Sequence, residues 1–134
     1  MLSFAPLLLL LLCGATHGAE YHIKDASQFI SFANSVNNGN TYSSYTVFLD
    51  SDIDFTGKTM SPIGSSESRY FIGTLDGQGH TISNLKMTVS SQFAGLFGYT
   101  RGMTVRNVVV DESCSVVCTS GSNYVYVGGI LGEC

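Results

Sequence analysis

Asp50, Asp52 and Asp54 form the densest acidic group of the chain. In an extended strand alternate side chains share a face, so these carboxylates are expected about 7 Å apart. Such a row could bind calcium, catalyse acid–base cleavage of a polysaccharide, or stabilise the bends of a solvated strand. An EF-hand is excluded, because its glycine would be Phe55 and its last glutamate Ser61. Glycoside cleavage needs two carboxylates aimed at one bond. No second set occurs at a matching position, so bend stabilisation is the favoured interpretation.

His80 is the next candidate, as a ligand or a base. No second histidine or cysteine accompanies it at ligand spacing, which favours a bend residue at the start of a strand. The nearby Gly77 and Gly79 lack the rest of a dinucleotide fingerprint. The chain contains neither His-Glu-x-x-His nor Gly-x-Ser-x-Gly. The sequence therefore predicts no catalytic residue, no metal site and no cofactor.

Six tyrosines could stack on sugar rings if several share a face, or could be ordinary half-buried strand positions. They are Tyr42, Tyr45, Tyr70, Tyr99, Tyr124 and Tyr126.

The first 18 residues have the layout of a secretory signal peptide. Six leucines in a row, Leu7 to Leu12, are too few for a membrane span of about 20 residues. Small residues follow, and cleavage after Gly18 would place Thr16 and Gly18 at the −3 and −1 positions. We therefore predict a secreted or surface-displayed protein, and no later stretch has the length of a transmembrane segment.

Three cysteines remain after the leader: Cys114, Cys118 and Cys134. In an oxidising compartment they imply one disulfide and one further thiol, either free or paired outside the chain. Cys114 and Cys118 cannot bridge if the residues between them are extended. Four strand steps span about 13 Å, whereas a disulfide needs Cα atoms within about 7 Å. The pairing of the three stays open.

Composition excludes several classes of protein. Ten acidic residues against six basic ones give a formal charge of −4, with no electrostatic footprint for nucleic acid. A hydrophobic content of 44% with so small a net charge argues against disorder. The 134 residues allow one compact domain at most.

An amphipathic helix is predicted over residues 25–37. Asp25 and Gln28 have the spacing of a capping pair, and Gly39 suits the left-handed position after a helix. The predicted apolar face comprises Phe29, Ile30, Phe32, Ala33 and Val36. From Tyr45 onward the apolar period changes to two. The predicted organisation is a signal peptide over 1–18, a capping helix and loop over 19–44, and repeats over 45–134, with a loop insertion at 111–125.

The later part of the chain resembles itself. Residues 71–77 align with 93–98 at a shift of 22, and 80–85 align with 103–108 at a shift of 23. A partial copy covers 127–132. This period is too short for a propeller blade and contains no helix for a leucine-rich repeat. It predicts an all-β fold, a right-handed parallel β-helix (solenoid) with one N-terminal amphipathic capping helix and coils stacked about 4.8 Å apart.

In this predicted solenoid Asn84 and Asn107 would stack at a bend, where asparagine tolerates left-handed backbone. Ile82 and Val105 would stack in the interior. The sequence halts at Glu133–Cys134, within a repeat. An open last coil exposes unpaired strand edges. We therefore expect either a continuation in a longer protein or self-association through that coil.

Several motifs resemble the GLUG-motif repeat proteins of bacterial and protist surfaces. They are Asp-Ile-Asp-Phe at 52–55, Pro-Ile-Gly at 62–64, the run at 71–85, and the segment 94–98. The family is named for a Gly-Leu-x-Gly core, which matches Gly95, Leu96, Phe97 and Gly98. The resemblance covers the mature chain from about Tyr21.

Membership would imply a pectin-lyase-like β-helix and a non-enzymatic role in adhesion or as an interaction scaffold. The implied partners are surface proteins or glycans of host or neighbouring cells. The alternative is an N-terminal accessory part of a larger polysaccharide-active or proteolytic enzyme, with its catalytic residues beyond Cys134.

Overall fold

The structure is a computed structural model that describes residues 18–89, 95–118 and 125–127, with only the backbone described at 118 and 125–127. Within these ranges the chain forms one helix and ten strands. They are β1 (Ala19–Ile23), α1 (Ala26–Asn37), β2 (Tyr45–Leu49), β3 (Ile53–Asp54), β4 (Thr74–Asp76), β5 (Thr81–Ser83), β6 (Lys86–Val89), β7 (Thr104–Arg106), β8 (Val109–Val110), β9 (Ser115–Cys118) and β10 (Val125–Val127).

The predicted helix is present as α1, with its predicted capping pair. The Asp25 side chain accepts a hydrogen bond from the Gln28 N–H at 2.8 Å, and the Gln28 side chain accepts one from the Lys24 N–H at 2.8 Å. Gly39 has a φ of 109° and donates to the Val36 carbonyl. The buried residues of α1 are Ala26, Phe29, Phe32, Ala33 and Val36.

The strands form three small sheets. The largest has four strands in the order β1-β2-β4-β7, and the others have the orders β3-β5-β8 and β10-β9-β6. Neighbouring strands are parallel except β9 and β10, which are antiparallel. Part of the predicted loop insertion at 111–125 is therefore the strand β9.

The predicted right-handed parallel β-helix is wrong. The strands are two to five residues long and form short, separate sheets, not the stacked rungs of a solenoid. The predicted stacking also fails, because Ile82 pairs with Ile53 and Val110, whereas Val105 pairs with Leu75. Asn84 and Asn107 do not stack either, since β5 before Asn84 pairs with β8, whereas β7 before Asn107 pairs with β4. The physical reason is that the 22- to 23-residue shift aligns similar local turns, and local similarity does not determine which strands pair.

One hydrophobic cluster joins the helix to the sheets. The Phe32 ring lies 5.0 Å from the Tyr42 ring and 5.3 Å from the Phe71 ring, centroid to centroid. Phe29 meets Phe55 edge to face at 5.6 Å. Aromatic pairs of this geometry stabilise a core beyond their buried area. Among the described residues, no helix is long and apolar enough to cross a membrane.

The Gly95, Leu96, Phe97 and Gly98 motif lies in the core. Leu96 and Phe97 are buried. The Ile63 N–H donates to the Leu96 carbonyl at 2.9 Å, and the Gly98 N–H donates to the Ile63 carbonyl at 2.9 Å. The motif therefore joins two distant segments through backbone hydrogen bonds.

Candidate functional site

Asp50 is held by side chains from two segments, one before it and one after it, each 28 residues away in the sequence. His22 of β1 places Nδ1 2.9 Å from both carboxylate oxygens, and Gln78 donates to Oδ1 at 3.1 Å. The Nε2 atom of His22 lies 3.0 Å from Glu20. The hydrogen bond with His22 lowers the pKa of Asp50. The bonds with Asp50 and then Glu20 raise the pKa of His22. Asp50 thus fastens β1 to the end of β2.

Asp52 is paired with the second candidate residue, His80. Its Oδ1 accepts a hydrogen bond from the Thr81 N–H at 3.0 Å and lies 3.1 Å from His80 Nδ1. The Thr81 N–H is the main cause that lowers the pKa of Asp52, followed by the His80 hydrogen bond. His80 therefore meets one carboxylate at the start of β5. Within the described ranges no group of three or more His, Cys, Asp or Glu side chains could hold a metal ion.

Asp54 closes a turn and also anchors Asn84. Its Oδ1 accepts hydrogen bonds from the Thr56 N–H at 2.9 Å, the Thr56 hydroxyl at 2.6 Å and the Asn84 side-chain amide at 3.0 Å. The Thr56 hydroxyl, then Asn84, then the Thr56 N–H lower the pKa of Asp54. Asn84 has a φ of 58°, as a left-handed bend requires.

Asp76 repeats the arrangement one segment later. Its Oδ1 accepts from the Gln78 N–H at 2.9 Å and from the Asn107 side-chain amide at 3.2 Å. Arg106 Nε adds an ion pair with Oδ2 at 3.2 Å. The Gln78 N–H is the main cause that lowers the pKa of Asp76, with Asn107 and Arg106 contributing less. Asn107 has a φ of 56°. We call these two arrangements the Asp54 corner and the Asp76 corner.

The four aspartates share one chemical character. Each accepts two or more hydrogen bonds, and each has a pKa below its ordinary value. A carboxylate with a lowered pKa is ionised at neutral pH and has no proton to donate as a general acid. What the arrangement does is join chain segments far apart in sequence through charge-assisted hydrogen bonds.

The sequence interpretation named the asparagines but missed their partners. It placed Asn84 and Asn107 at left-handed bends, which their backbone angles confirm, yet paired them with each other. A usable signal exists, because Asp54 and Asp76 each begin an Asp-x-x-Gly segment. Both glycines of these segments have positive φ. Each segment precedes its asparagine by about the same length of chain.

The other predicted residues lie elsewhere. Cys114 is a buried free thiol whose Sγ lies 3.5 Å from the Ile82 carbonyl. The side chains of Cys118 and Cys134 lie outside the described residues, so the disulfide stays a prediction. Tyr42 is buried. The Tyr70 and Tyr99 rings lie 6.1 Å apart. The side chains at 124 and 126 also lie outside the described residues.

A cleft of about 580 Å³ lies between α1, residues 59–61 and residues 86–88 of β6. Ile30 and Asn34 line its helical side. Its chemistry differs from that of the corners. No carboxylate lies among the described residues that line it, although the chain carries a formal charge of −4. Lys86 supplies a cation and donates a hydrogen bond from Nζ to the Ser113 carbonyl. No motif or spacing in the sequence indicated this cleft, because its three walls are distant along the chain.

Comparison of the chain with protein-family models, with curated proteins and with solved structures found no match in any of the three. The resemblance to GLUG-motif proteins therefore stays a prediction.

Proposed function

We propose that this chain is a secreted or surface-displayed, non-enzymatic interaction module that acts in adhesion or as a scaffold. Its partners are surface proteins or glycans of neighbouring or host cells. The main support for the proposal is the set of hydrogen bonds that the aspartate carboxylates accept. The carboxylate oxygens of four aspartates accept hydrogen bonds that join distant chain segments. These residues are Asp50, Asp52, Asp54 and Asp76. This is the use expected of carboxylates that maintain the shape of a surface.

Two further features support the proposal. The leader-like residues 1–18 suit an exported protein. The cleft beside β6 has apolar and uncharged polar groups and a lysine, a lining suited to recognition of another molecule.

Adhesion can be tested with the full purified chain coupled to beads. Folded protein should retain cells or extracellular glycoproteins, and beads carrying heat-unfolded protein should not. The same preparation is incubated with polysaccharide and protein substrates. Release of fragments that is lost in Asp52→Asn would contradict the proposal. Equal retention by folded and unfolded protein would contradict it as well.

Export is tested separately. Expression from the complete gene in a secreting host should yield a protein in the medium whose first residue is Ala19, as measured by mass spectrometry. Protein retained inside the cells with Met1 still present would contradict this part of the proposal.

A further inference from the structure

The strand β6 has an open edge among the described residues. β6 pairs with β9 on one side, and no other described strand pairs with it. The Ser115 N–H donates to the Leu85 carbonyl at 2.8 Å. Alternate residues of a strand direct their backbone groups to the same edge. The backbone groups of Leu85 and Met87 therefore point towards β9. Those of Lys86 and Thr88, two N–H and two C=O groups, point to the opposite edge.

This open edge borders the cleft. Three successive residues of β6, 86–88, line it. Side chains alternate between the two faces of a strand, so a cleft lined by three residues in a row adjoins the edge of the strand. The rest of the described lining comes from residues 59–61 and from Ile30 and Asn34 of α1. No backbone hydrogen bond joins 59–61 to β6. Among the described residues, the cleft thus separates two segments that no backbone hydrogen bond joins.

We propose that this cleft binds an extended peptide segment of a partner protein, which adds to β6 as a further strand. Donors and acceptors that alternate at strand spacing are matched by another peptide backbone, and strand addition is a recurrent mode of peptide recognition. The inference rests on the proposed interaction function and specifies one class of partner for it.

The side chains of the cleft define the peptide that fits. Lys86 and Thr88 are exposed, whereas Met87 between them is 3% exposed, and Met60 across the cleft is 7% exposed. Apolar residues of the peptide should lie on the methionine side, where thioethers adapt to varied shapes. Acidic residues should lie on the Lys86 side, because the described part of the lining offers this cation and no carboxylate. The expected ligand alternates apolar and acidic residues.

The test uses the full ¹⁵N-labelled chain and a capped hexapeptide of alternating valine and aspartate. Saturable shifts are expected at the amides of Lys86 and Thr88, and those amides should become protected from hydrogen exchange. Two N-methylated versions of the peptide serve as controls. Methylation of the alternate amides that face β6 should weaken binding about tenfold or more, while methylation of the other set should not.

Variants of the chain identify the contacts. Thr88→Pro removes an N–H from the open edge and leaves the β9 hydrogen bonds intact, so it should abolish binding without unfolding the chain. Lys86→Glu should weaken binding of the aspartate peptide about tenfold. The Lys86→Glu variant should instead bind more tightly the peptide in which lysine replaces aspartate. This exchange of charge remains informative even if Thr88→Pro does not fold.

Several results would overturn the inference. One is the absence of amide shifts at millimolar peptide, and another is an equal loss of affinity with both methylated peptides. A third is slow hydrogen exchange of the Lys86 and Thr88 amides in the free monomer, because it would mean that another part of the chain covers the edge. Dimerisation that shifts the same amides would assign the edge to a second copy. If Thr88→Pro loses the peptide but the beads still retain cells, adhesion stands and does not use this cleft. If the unmodified chain binds neither cells nor peptide, the proposed function fails too.

Discussion

The Asp54 corner and the Asp76 corner use the same polar device in two different sheets. In both, the aspartate Oδ1 accepts from the backbone N–H two residues later and from the side-chain amide of a left-handed asparagine, Asn84 or Asn107. In both, the strand that ends at the aspartate pairs with the strand that precedes the asparagine. The repeat detected in the sequence thus marks a recurring turn and not a stacking position.

The corners differ in what surrounds that device. Phe55 follows Asp54 and is fully buried. Gly77 follows Asp76, and a Cβ atom at this position would lie 2.4 Å from the Asn107 carbonyl oxygen. The first corner is therefore secured by a side chain in the core, and the second by a close approach of two backbones. One hydrogen-bonding pattern is thus supported by two kinds of packing.

The largest expected effect is the removal of the aromatic ring from the Asp54 corner. Phe55→Ala should lower the free energy of unfolding by about 3–5 kcal/mol, because it leaves a cavity against Phe29. Urea unfolding measures the loss, with Phe55→Leu as the smaller control. A loss below about 1 kcal/mol would show that this corner does not depend on core packing.

The next effect concerns the Asp76 corner. Gly77→Ala should cost about 1–3 kcal/mol, because its methyl group would meet the Asn107 carbonyl and the Val108 side chain. The control is Gly57→Asn in the other corner, where open space surrounds the position and asparagine tolerates the φ of 72°. Urea unfolding of both variants tests the difference. Equal losses would contradict the proposed role of backbone approach.

A third pair of variants tests what the corners share. Asn84→Ala and Asn107→Ala should each cost about 1–2 kcal/mol, because alanine is strained at positive φ and the bond to the aspartate is lost. Asn84→Gly and Asn107→Gly relieve the strain and should recover part of the loss. Asn84 is half-buried and Asn107 exposed, so the loss at Asn84 should be the larger. An alanine variant as stable as the wild type would show that the asparagine does not stabilise that corner.

Local features of the fold could be predicted from the sequence, and pairings could not. Asp25 and Gln28 determine the start of α1 because their contacts span three residues. The left-handed bends at Asn84 and Asn107 were predictable for the same reason, since asparagine favours that conformation on its own.

The strand partners depend on the whole chain. Asn84 donates to Asp54, which is 30 residues away, and nothing in the intervening sequence specifies that distance. The cleft beside β6 is harder still to predict, since it exists only once α1, residues 59–61 and β6 have come together. The error in the fold class arose from treating a repeated turn as a repeated layer.

The smallest effect is the response of the two corners to acid. Asp54 and Asp76 both have a folded-state pKa below the ordinary value of 3.8. The unfolded chain therefore takes up protons first as the pH falls. The stability these groups contribute is present above pH 3.8 and is lost as the pH falls through their folded-state pKa values. Asp54→Asn and Asp76→Asn should each flatten this loss in urea unfolding between neutral pH and pH 3.

Arg106 separates the two responses, because it contacts Asp76 and not Asp54. Arg106→Ala should raise the pKa of Asp76 and leave that of Asp54 unchanged, as followed by carboxyl NMR shifts during acid titration. Its cost in stability should be below about 1 kcal/mol, since the guanidinium side of the pair is 55% exposed and water screens it. Equal movement of both pKa values would show that Arg106 acts through the general field of the protein. The ion pair would then be no distinguishing feature of the Asp76 corner.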